Sequence, residues 1–168
     1  MLALIGLPGS GKSTVGKLLA RHYALPFIDL DREIENALGC SITQCFEEKG
    51  ELYFRDLESE LLNQITNGDR CVLSTGGGSV LSASNRELLR VRAKVIYLNA
   101  TPQELLPRLK SDKKRPLLQV QDLVSRLKEL YEIRDPLYKE TAEIVLHTGA
   151  GSAKRVVKEY LKFHQNFY

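Results

Sequence analysis

Short apolar runs recur along the chain, separated by longer stretches in which hydrophobic and polar residues follow a helical period. The apolar runs are compact and rich in β-branched or aromatic residues. Continuous apolarity of this kind is typical of strands buried on both faces, as in a parallel sheet. The predicted strands are residues 2–5, 27–28, 71–73, 95–98 and 144–146.

The stretches between these runs place apolar residues on one face of a helix. They carry, in chain order, Val15, Leu18 and Leu19; Phe54, Leu57, Leu61 and Ile65; Leu123, Val124, Leu127, Leu130 and Tyr131; and Val156, Val157, Tyr160 and Leu161. Strands that alternate with helices predict right-handed βαβ crossovers and a three-layer α/β sandwich. Connections are short and no internal repeat is present, so the 168 residues predict a single domain.

Composition excludes several classes of protein. The chain is 43% hydrophobic, and 24 Lys and Arg against 21 Asp and Glu give a net charge of +3. This mild excess falls short of a dedicated nucleic-acid binder and suits a small anionic ligand. No apolar run approaches the roughly 18 residues of a membrane span, and the first residues lack the pattern of a signal peptide. We therefore expect a cytoplasmic protein that binds neither nucleic acid nor membrane.

The three cysteines, Cys40, Cys45 and Cys71, form neither a CxxC pair nor a zinc-type spacing. We expect free thiols in a reducing compartment.

Residues 6–14 read GLPGSGKST, which satisfies G-x-x-x-x-G-K-[ST] between a predicted buried strand and an amphipathic helix. Glycines bring backbone N–H groups close to phosphate oxygens, and the positive end of the helix dipole adds to that field. The lysine places a charge on the β- and γ-phosphates, and the following hydroxyl can coordinate Mg²⁺. The predicted nucleotide-binding residues are Gly9, Ser10, Gly11, Lys12, Ser13 and Thr14. This P-loop predicts binding of a nucleoside triphosphate.

Two carboxylates, Asp29 and Asp31, follow the second apolar run. They are expected at the carboxyl end of a strand, where ligands gather in open α/β sheets. If the segment is extended, residues i and i+2 share a face and both carboxylates point the same way. A metal shell and a substrate hydroxyl would account for two like charges so close. The alternative, Asp31 as N-cap of the next helix, would leave Asp29 unexplained.

Four further segments could line an anion site. Arg55 and Glu58 are three residues apart in a predicted helix and can pair, as solvent-exposed ions also do. Glycines 76–78 follow the third strand, as in a plain loop or a loop that a ligand approaches closely. Arg134 comes just before a proline that is expected to end a helix, where it could merely interact with the helix C-terminus. Residues 110–116 are basic, as in a solvated turn or a lid over an anion.

Together, these segments resemble the shikimate kinase family of small P-loop kinases. The matching strings, in order, are GLPGSGKST, DLD, FRDLE, STGGG, RPLL and RDPLY. The resemblance implies a nucleoside-monophosphate-kinase type of α/β/α sandwich, with a five-stranded parallel sheet in the order 2-3-1-4-5. It also implies ATP- and Mg²⁺-dependent phosphorylation of the 3-hydroxyl of shikimate, giving shikimate 3-phosphate and ADP in aromatic amino acid biosynthesis.

Carried over residue by residue, the resemblance implies an acceptor site. In it Asp31 holds the acceptor hydroxyl and serves as base, and Asp29 acts on Mg²⁺ through water. Arg55 and Arg134 grip the shikimate carboxylate, and Glu58 orients Arg55. The planar fork of arginine suits a carboxylate better than the point charge of lysine does.

The resemblance implies further contacts around both substrates. Gly77 and Gly78 correspond to glycines that line the substrate pocket, and Arg115 corresponds to a lid arginine that folds over the ATP phosphates. Lys12, Arg115 and Mg²⁺ on Ser13 would together neutralise the transferring group.

The expected organisation is one kinase domain, residues 1–168, with a mobile lid around residues 109–120 that excludes water when it closes. We expect it to act as a monomer. The family's adenine-contacting loop falls near residues 147–152, where no residue can be matched.

Two alternatives stay open at this point. A related kinase for gluconate or a nucleoside monophosphate would share the fold and the P-loop, although the two arginines and the DLD pair suit a compact hydroxy acid better. A GTPase-like switch would need an N-K-x-D element, and that string does not occur in the chain.

Overall fold

Strands and helices alternate along the chain in the computed structural model, which describes residues 1–110, 120–149 and 151–164. The elements are β1 (Leu2–Ile5), α1 (Lys12–Tyr23), β2 (Phe27–Asp29), α2 (Leu30–Leu38), α3 (Ile42–Asn67), β3 (Val72–Ser74), a 3₁₀ turn (Ser79–Leu81), α4 (Ala83–Arg92), β4 (Lys94–Asn99), α5 (Pro102–Leu109), α6 (Leu123–Thr141), β5 (Ile144–His147) and α7 (Ala153–Phe163).

The strands form one parallel sheet in the order β2-β3-β1-β4-β5. The predicted fold class and strand order are therefore confirmed. Because β2, β3 and β1 are neighbours, the loops that leave their carboxyl ends meet at one edge of the sheet. Those loops hold the P-loop, the two aspartates and the glycine segment.

Side chains of β1 alternate between the two faces of the sheet. Leu2 and Leu4 pack with α1 and α7 on one face, whereas Ala3 and Ile5 pack into the larger cluster on the other face. All four residues are completely buried. The central strand thus has apolar cover on both sides, as its uninterrupted apolar run predicts.

The longest helix, α3, bends at Gly50, whose backbone has φ 83° and ψ 172°. This positive φ is accessible to glycine and strained for other residues. Residues after the bend lie against the sheet edge described above. No helix in the three described ranges is both long enough and apolar enough to span a bilayer.

Helix α6 does not end at the proline, contrary to the prediction from sequence. It continues through Pro136 to Thr141. A proline removes one helical hydrogen bond, but Tyr138 and Thr141 are both buried beyond it. Tertiary packing of that last turn therefore outweighs the local cost.

Gly16 lies on α1 where the helix packs on the sheet. A β-carbon there would stand 2.5 Å from Cε2 of Phe27 and 2.9 Å from Cδ1 of Leu4. Two effects of Gly16→Ala thus oppose each other. Alanine favours the helix by about 1 kcal/mol, and overpacking a core costs about 1–3 kcal/mol.

We expect Gly16→Ala to lower the free energy of unfolding by up to about 2 kcal/mol, because Leu4 belongs to the central strand and has little room to move. Urea denaturation of the two proteins measures the difference. A gain in stability of about 1 kcal/mol, as helix propensity alone would give, would contradict the close packing of α1 on the sheet.

Candidate active site

A cavity of about 1020 Å³ opens at the edge of the sheet where the loops after β1, β2 and β3 meet. Within the described residues, it brings together the predicted site residues Gly9, Gly11, Lys12, Ser13, Thr14, Asp29, Asp31, Arg55, Glu58, Gly77, Gly78 and Arg134. Ser10 does not line the cavity and is buried. Arg115 and positions 111–119 of the predicted lid lie outside the described residues.

The P-loop wraps the N-terminus of α1. Gly11 precedes the helix with φ 96°, and apart from its neighbours in the chain no described residue has an atom within 4 Å of the place where its β-carbon would stand. Lys12 Nζ donates hydrogen bonds to the carbonyl oxygens of Gly6 (2.8 Å) and Leu7 (3.0 Å). The buried hydroxyl of Ser10 has no hydrogen-bond partner in the described part of the chain. An open helix N-terminus with a lysine and a spare hydroxyl is the donor set that a phosphate group takes.

Ser13 and Asp29 meet beside the P-loop. The Ser13 hydroxyl donates a hydrogen bond of 2.6 Å to Oδ2 of Asp29. Mg²⁺ takes oxygen ligands and combines one or two protein groups with water and substrate phosphates. The donors present at this position therefore fit a nucleotide-bound Mg²⁺.

The two aspartates line the cavity, but the local structure that holds them differs from the prediction. Strand β2 ends at Asp29, and α2 begins at Leu30, so Asp31 lies in the first helical turn. The prediction that both residues share a face of an extended segment is wrong, because the chain turns directly into a helix. The N-cap position belongs to Asp29, whose side chain makes no capping bond. The alternative reading of Asp31 as N-cap is therefore wrong too.

Arg55 and Glu58 form the predicted pair, with 2.7 Å between NH1 and Oε2. Glu58 is 0% exposed, so this is not a surface ion pair. Its other oxygen, Oε1, accepts a hydrogen bond of 2.7 Å from the hydroxyl of Ser79. Burial opposes the charge on Arg55, but the carboxylates of Glu58 and Glu51 more than compensate and raise the pKa of its guanidinium.

Glycines 76–78 pass between the charged side chains of the site. A β-carbon on Gly76 would stand 2.5 Å from Glu58 Oε1, and one on Gly78 would stand 2.5 Å from both terminal nitrogens of Arg55. Gly76 also faces Asp31, whose Oδ1 would be 2.9 Å away. The backbone approaches these groups so closely that side chains are excluded. Gly76, to which the resemblance gave no role although it belongs to the predicted glycine segment, therefore lines the site as well.

Arg134 is buried on α6, with 4% of its surface exposed. Its NH1 would stand 3.4 Å from a β-carbon on Gly77. Among the described residues, no carboxylate lies within ion-pair distance of its guanidinium. A buried charge without a counterion is costly, so this position favours an anionic ligand. The suggestion that Arg134 merely caps a helix end is wrong, because α6 continues for seven residues beyond it.

Arg108 and Ser79 form hydrogen bonds to residues of the site, although neither was predicted from the sequence. Arg108 lies on α5 and donates to the carbonyl of Gly9 (3.1 Å) and to those of Thr148 (2.7 Å) and Gly149 (2.8 Å). It thereby joins the P-loop to the connection between β5 and α7. No local pattern marks either residue, because their partners are distant in the sequence.

Comparisons with known proteins agree along nearly the whole chain. The family model for shikimate kinase matches residues 8–165. Shikimate kinase from Paracidovorax citrulli is 51% identical over 150 residues, covering 88% of this chain and 82% of that protein. Shikimate kinase from Aromatoleum aromaticum is 42% identical over 168 residues, covering 100% of this chain and 96% of that protein.

Comparison with solved structures also finds similarity to shikimate kinases. Shikimate kinase from Acinetobacter baumannii, in complex with shikimate, has a TM-score of 0.93 at 41% identity, covering 96% of this chain and 90% of that one. A gluconokinase from Sinorhizobium meliloti has a TM-score of 0.56 at 20% identity, a likeness that shows the fold alone. The chain therefore belongs to the shikimate kinase family, whose members phosphorylate shikimate with ATP in aromatic amino acid biosynthesis.

Proposed function

We propose that this chain transfers the γ-phosphoryl group of ATP to the 3-hydroxyl of shikimate in the cavity beside the P-loop. The observation that carries this proposal is the buried guanidinium of Arg134, which has no ion pair among the described residues and lies beside the glycine loop. A small acid with a hydroxyl group supplies both the missing counterion and the nucleophile. Gly77 also lies against Pro8 of the P-loop, so acceptor and donor sites adjoin.

In this proposal Arg55 and Arg134 bind the shikimate carboxylate. Each guanidinium offers a planar fork that matches the two oxygens of a carboxylate. Glu58 holds Arg55 from the buried side through its 2.7 Å ion pair. Gly77 and Gly78 let the ring of the acceptor approach the backbone between these side chains.

The P-loop residues bind the triphosphate of the donor. Lys12 exchanges its bonds to the loop carbonyls for bonds to phosphate oxygens. Ser13 would hold Mg²⁺ directly and Asp29 would hold it through water; the ion, when bound, neutralises negative charge on the phosphates. The open space at Gly11 leaves room for a phosphate at the helix N-terminus.

Asp31 takes the proton of the acceptor hydroxyl. The hydroxyl oxygen then forms a bond to the γ-phosphorus while the bond between that phosphorus and the bridging oxygen of ADP breaks. The position of Asp31 supports this role, because it lies in the first turn of α2 with its Oδ1 facing Gly76 of the glycine loop. Positioning and charge neutralisation carry most of such a transfer.

One chain contributes every residue in this scheme, and we propose a single-domain monomer. Arg115 and the lid around residues 109–120 keep the role that the resemblance implies, as a prediction from sequence.

The proposed reaction predicts ADP release from Mg-ATP that depends on shikimate. Parallel assays with gluconate, with nucleoside monophosphates and without acceptor serve as controls. We expect turnover with shikimate and a low blank, because the acceptor site is built for a small carboxylic acid. Turnover with one of the other acceptors would contradict the substrate assignment, and a high rate without acceptor would indicate an NTPase.

Asp31→Asn should lower kcat by about 10²–10⁴-fold while leaving ATP binding nearly unchanged, since the amide cannot accept the hydroxyl proton. Asp29→Asn is the matched control two residues away. It should instead raise the Mg²⁺ concentration needed for half-maximal rate. Steady-state kinetics across a Mg²⁺ series separates the two effects. Full activity of Asp31→Asn would rule out its role as base.

Arg55→Lys and Arg134→Lys should each raise the KM for shikimate by roughly tenfold or more, because a point charge cannot replace the bidentate fork. Arg126→Lys is the control. Arg126 pairs with Glu129 at 2.6 Å with the same i,i+3 spacing as Arg55 and Glu58, but the carboxylate of Glu129 is exposed whereas that of Glu58 is buried. We expect its KM values to match those of the unmodified chain. An unchanged KM for shikimate in both site variants would contradict the carboxylate-binding role.

A further inference from the structure

Tyr138 lies one helical turn beyond Arg134 on α6 and is 0% exposed. Its hydroxyl donates a hydrogen bond to the carbonyl oxygen of Gly77, a residue of the glycine loop (residues 76–78). This bond connects positions 61 residues apart in the sequence. It anchors the middle of the glycine loop to the helix that carries Arg134.

The guanidinium of Arg134 lies beside the residue that this hydroxyl holds, because its NH1 would stand 3.4 Å from a β-carbon on Gly77. The charge of Arg134 also acts on the hydroxyl of Tyr138. Burial raises the pKa of Tyr138 well above its ordinary value, and the nearby charge of Arg134 only partly opposes this rise. The phenol therefore stays protonated at working pH. Its proton is therefore available to the Gly77 carbonyl.

A second buried tyrosine holds the ring of Tyr138 in place. The ring of Tyr97 on β4 packs against it with 4.9 Å between centroids and an interplanar angle of 31°. The Tyr97 hydroxyl donates its proton to Oδ1 of Asp135 (2.9 Å) and lies 3.1 Å from Oδ1 of Asn99, and it forms no hydrogen bond to Gly77 or Arg134 in the described part of the chain. The two tyrosines thus share one stack but differ in what their hydroxyl groups touch.

We propose that Tyr138 is a positioning residue for the carboxylate end of the acceptor, because its hydroxyl holds the Gly77 peptide beside the Arg134 guanidinium. Ordering a flexible loop when a ligand binds costs conformational entropy. A loop that is already anchored next to Arg134 has less freedom left to lose, so the carboxylate binds more tightly. This inference rests on the proposed function, in which Arg134 binds the carboxylate of shikimate.

The test is Tyr138→Phe, which keeps the aromatic stack and removes only the hydroxyl. We expect the KM for shikimate to rise roughly tenfold, while kcat and the KM for ATP stay within about twofold. Tyr97→Phe is the matched control from the same stack. It should lower the melting temperature and leave the KM for shikimate unchanged. A folded Tyr138→Phe with an unchanged KM for shikimate, or with equal rises in both KM values, would overturn the inference.

A double-mutant cycle shows whether Tyr138 acts through Arg134. In an Arg134→Lys background, Tyr138→Phe should raise the KM for shikimate by much less than it does alone, because the positioned fork is already gone. Fully additive effects would contradict action through Arg134. If the unmodified chain fails to phosphorylate shikimate, the proposed function fails. If it succeeds and only the tyrosine variant behaves otherwise than expected, the inference alone fails.

Discussion

The residues of the proposed acceptor site, around Arg55 and the glycine loop, depend on one completely buried carboxylate, that of Glu58. A charge without contact with water is stable only where ion pairs and hydrogen bonds replace its hydration. Arg55 and Ser79 supply these at 2.7 Å each, one to each oxygen. The same carboxylate fills the space that a β-carbon on Gly76 would occupy, so a residue with a side chain does not fit at this position. The orientation of Arg55 and the glycine composition of the loop thus both follow from the need to stabilise Glu58.

The order of the strands places the residues of the proposed acceptor site next to the P-loop. Strand β3 lies between β2 and β1, so its glycine loop leaves the sheet between the aspartates and the phosphate-binding loop. The contact of Gly77 with Pro8 is where the two halves touch. Asp31, in the first turn of α2, lies beside the neighbouring Gly76. With both substrates bound as proposed, the acceptor hydroxyl at Asp31 and the phosphates at the start of α1 would be neighbours as a result of topology, as in-line transfer requires.

Sequence patterns predicted those features of the fold and the site that depend on residues close together in the chain. Each predicted strand overlaps an observed one, since a run of apolar residues indicates a buried strand. Burial on both faces holds for β1, β3 and β4, whereas the edge strands β2 and β5 are only partly buried. The three-residue spacing of Arg55 and Glu58 predicted their pairing, because it places both on one helix face. The position of Asp31 and the passage of α6 through Pro136 were not predictable in this way. The first depends on where the chain turns after β2, and the second on the burial of Tyr138. Contacts such as Tyr138 with Gly77 join distant segments and leave no local pattern.

The two arginines differ in what the folded protein has already provided for them. Arg55 is compensated by Glu58 and Glu51, so its charge is largely neutralised before any ligand arrives. Arg134 is only 4% exposed, yet it forms no ion pair within the described residues. In the proposed complex, a carboxylate would therefore gain directional hydrogen bonds from Arg55 and most of its uncompensated electrostatic attraction from Arg134. The modest net charge of the chain would contribute little to such selectivity, which would arise from a buried cation that has no counterion in the described ranges.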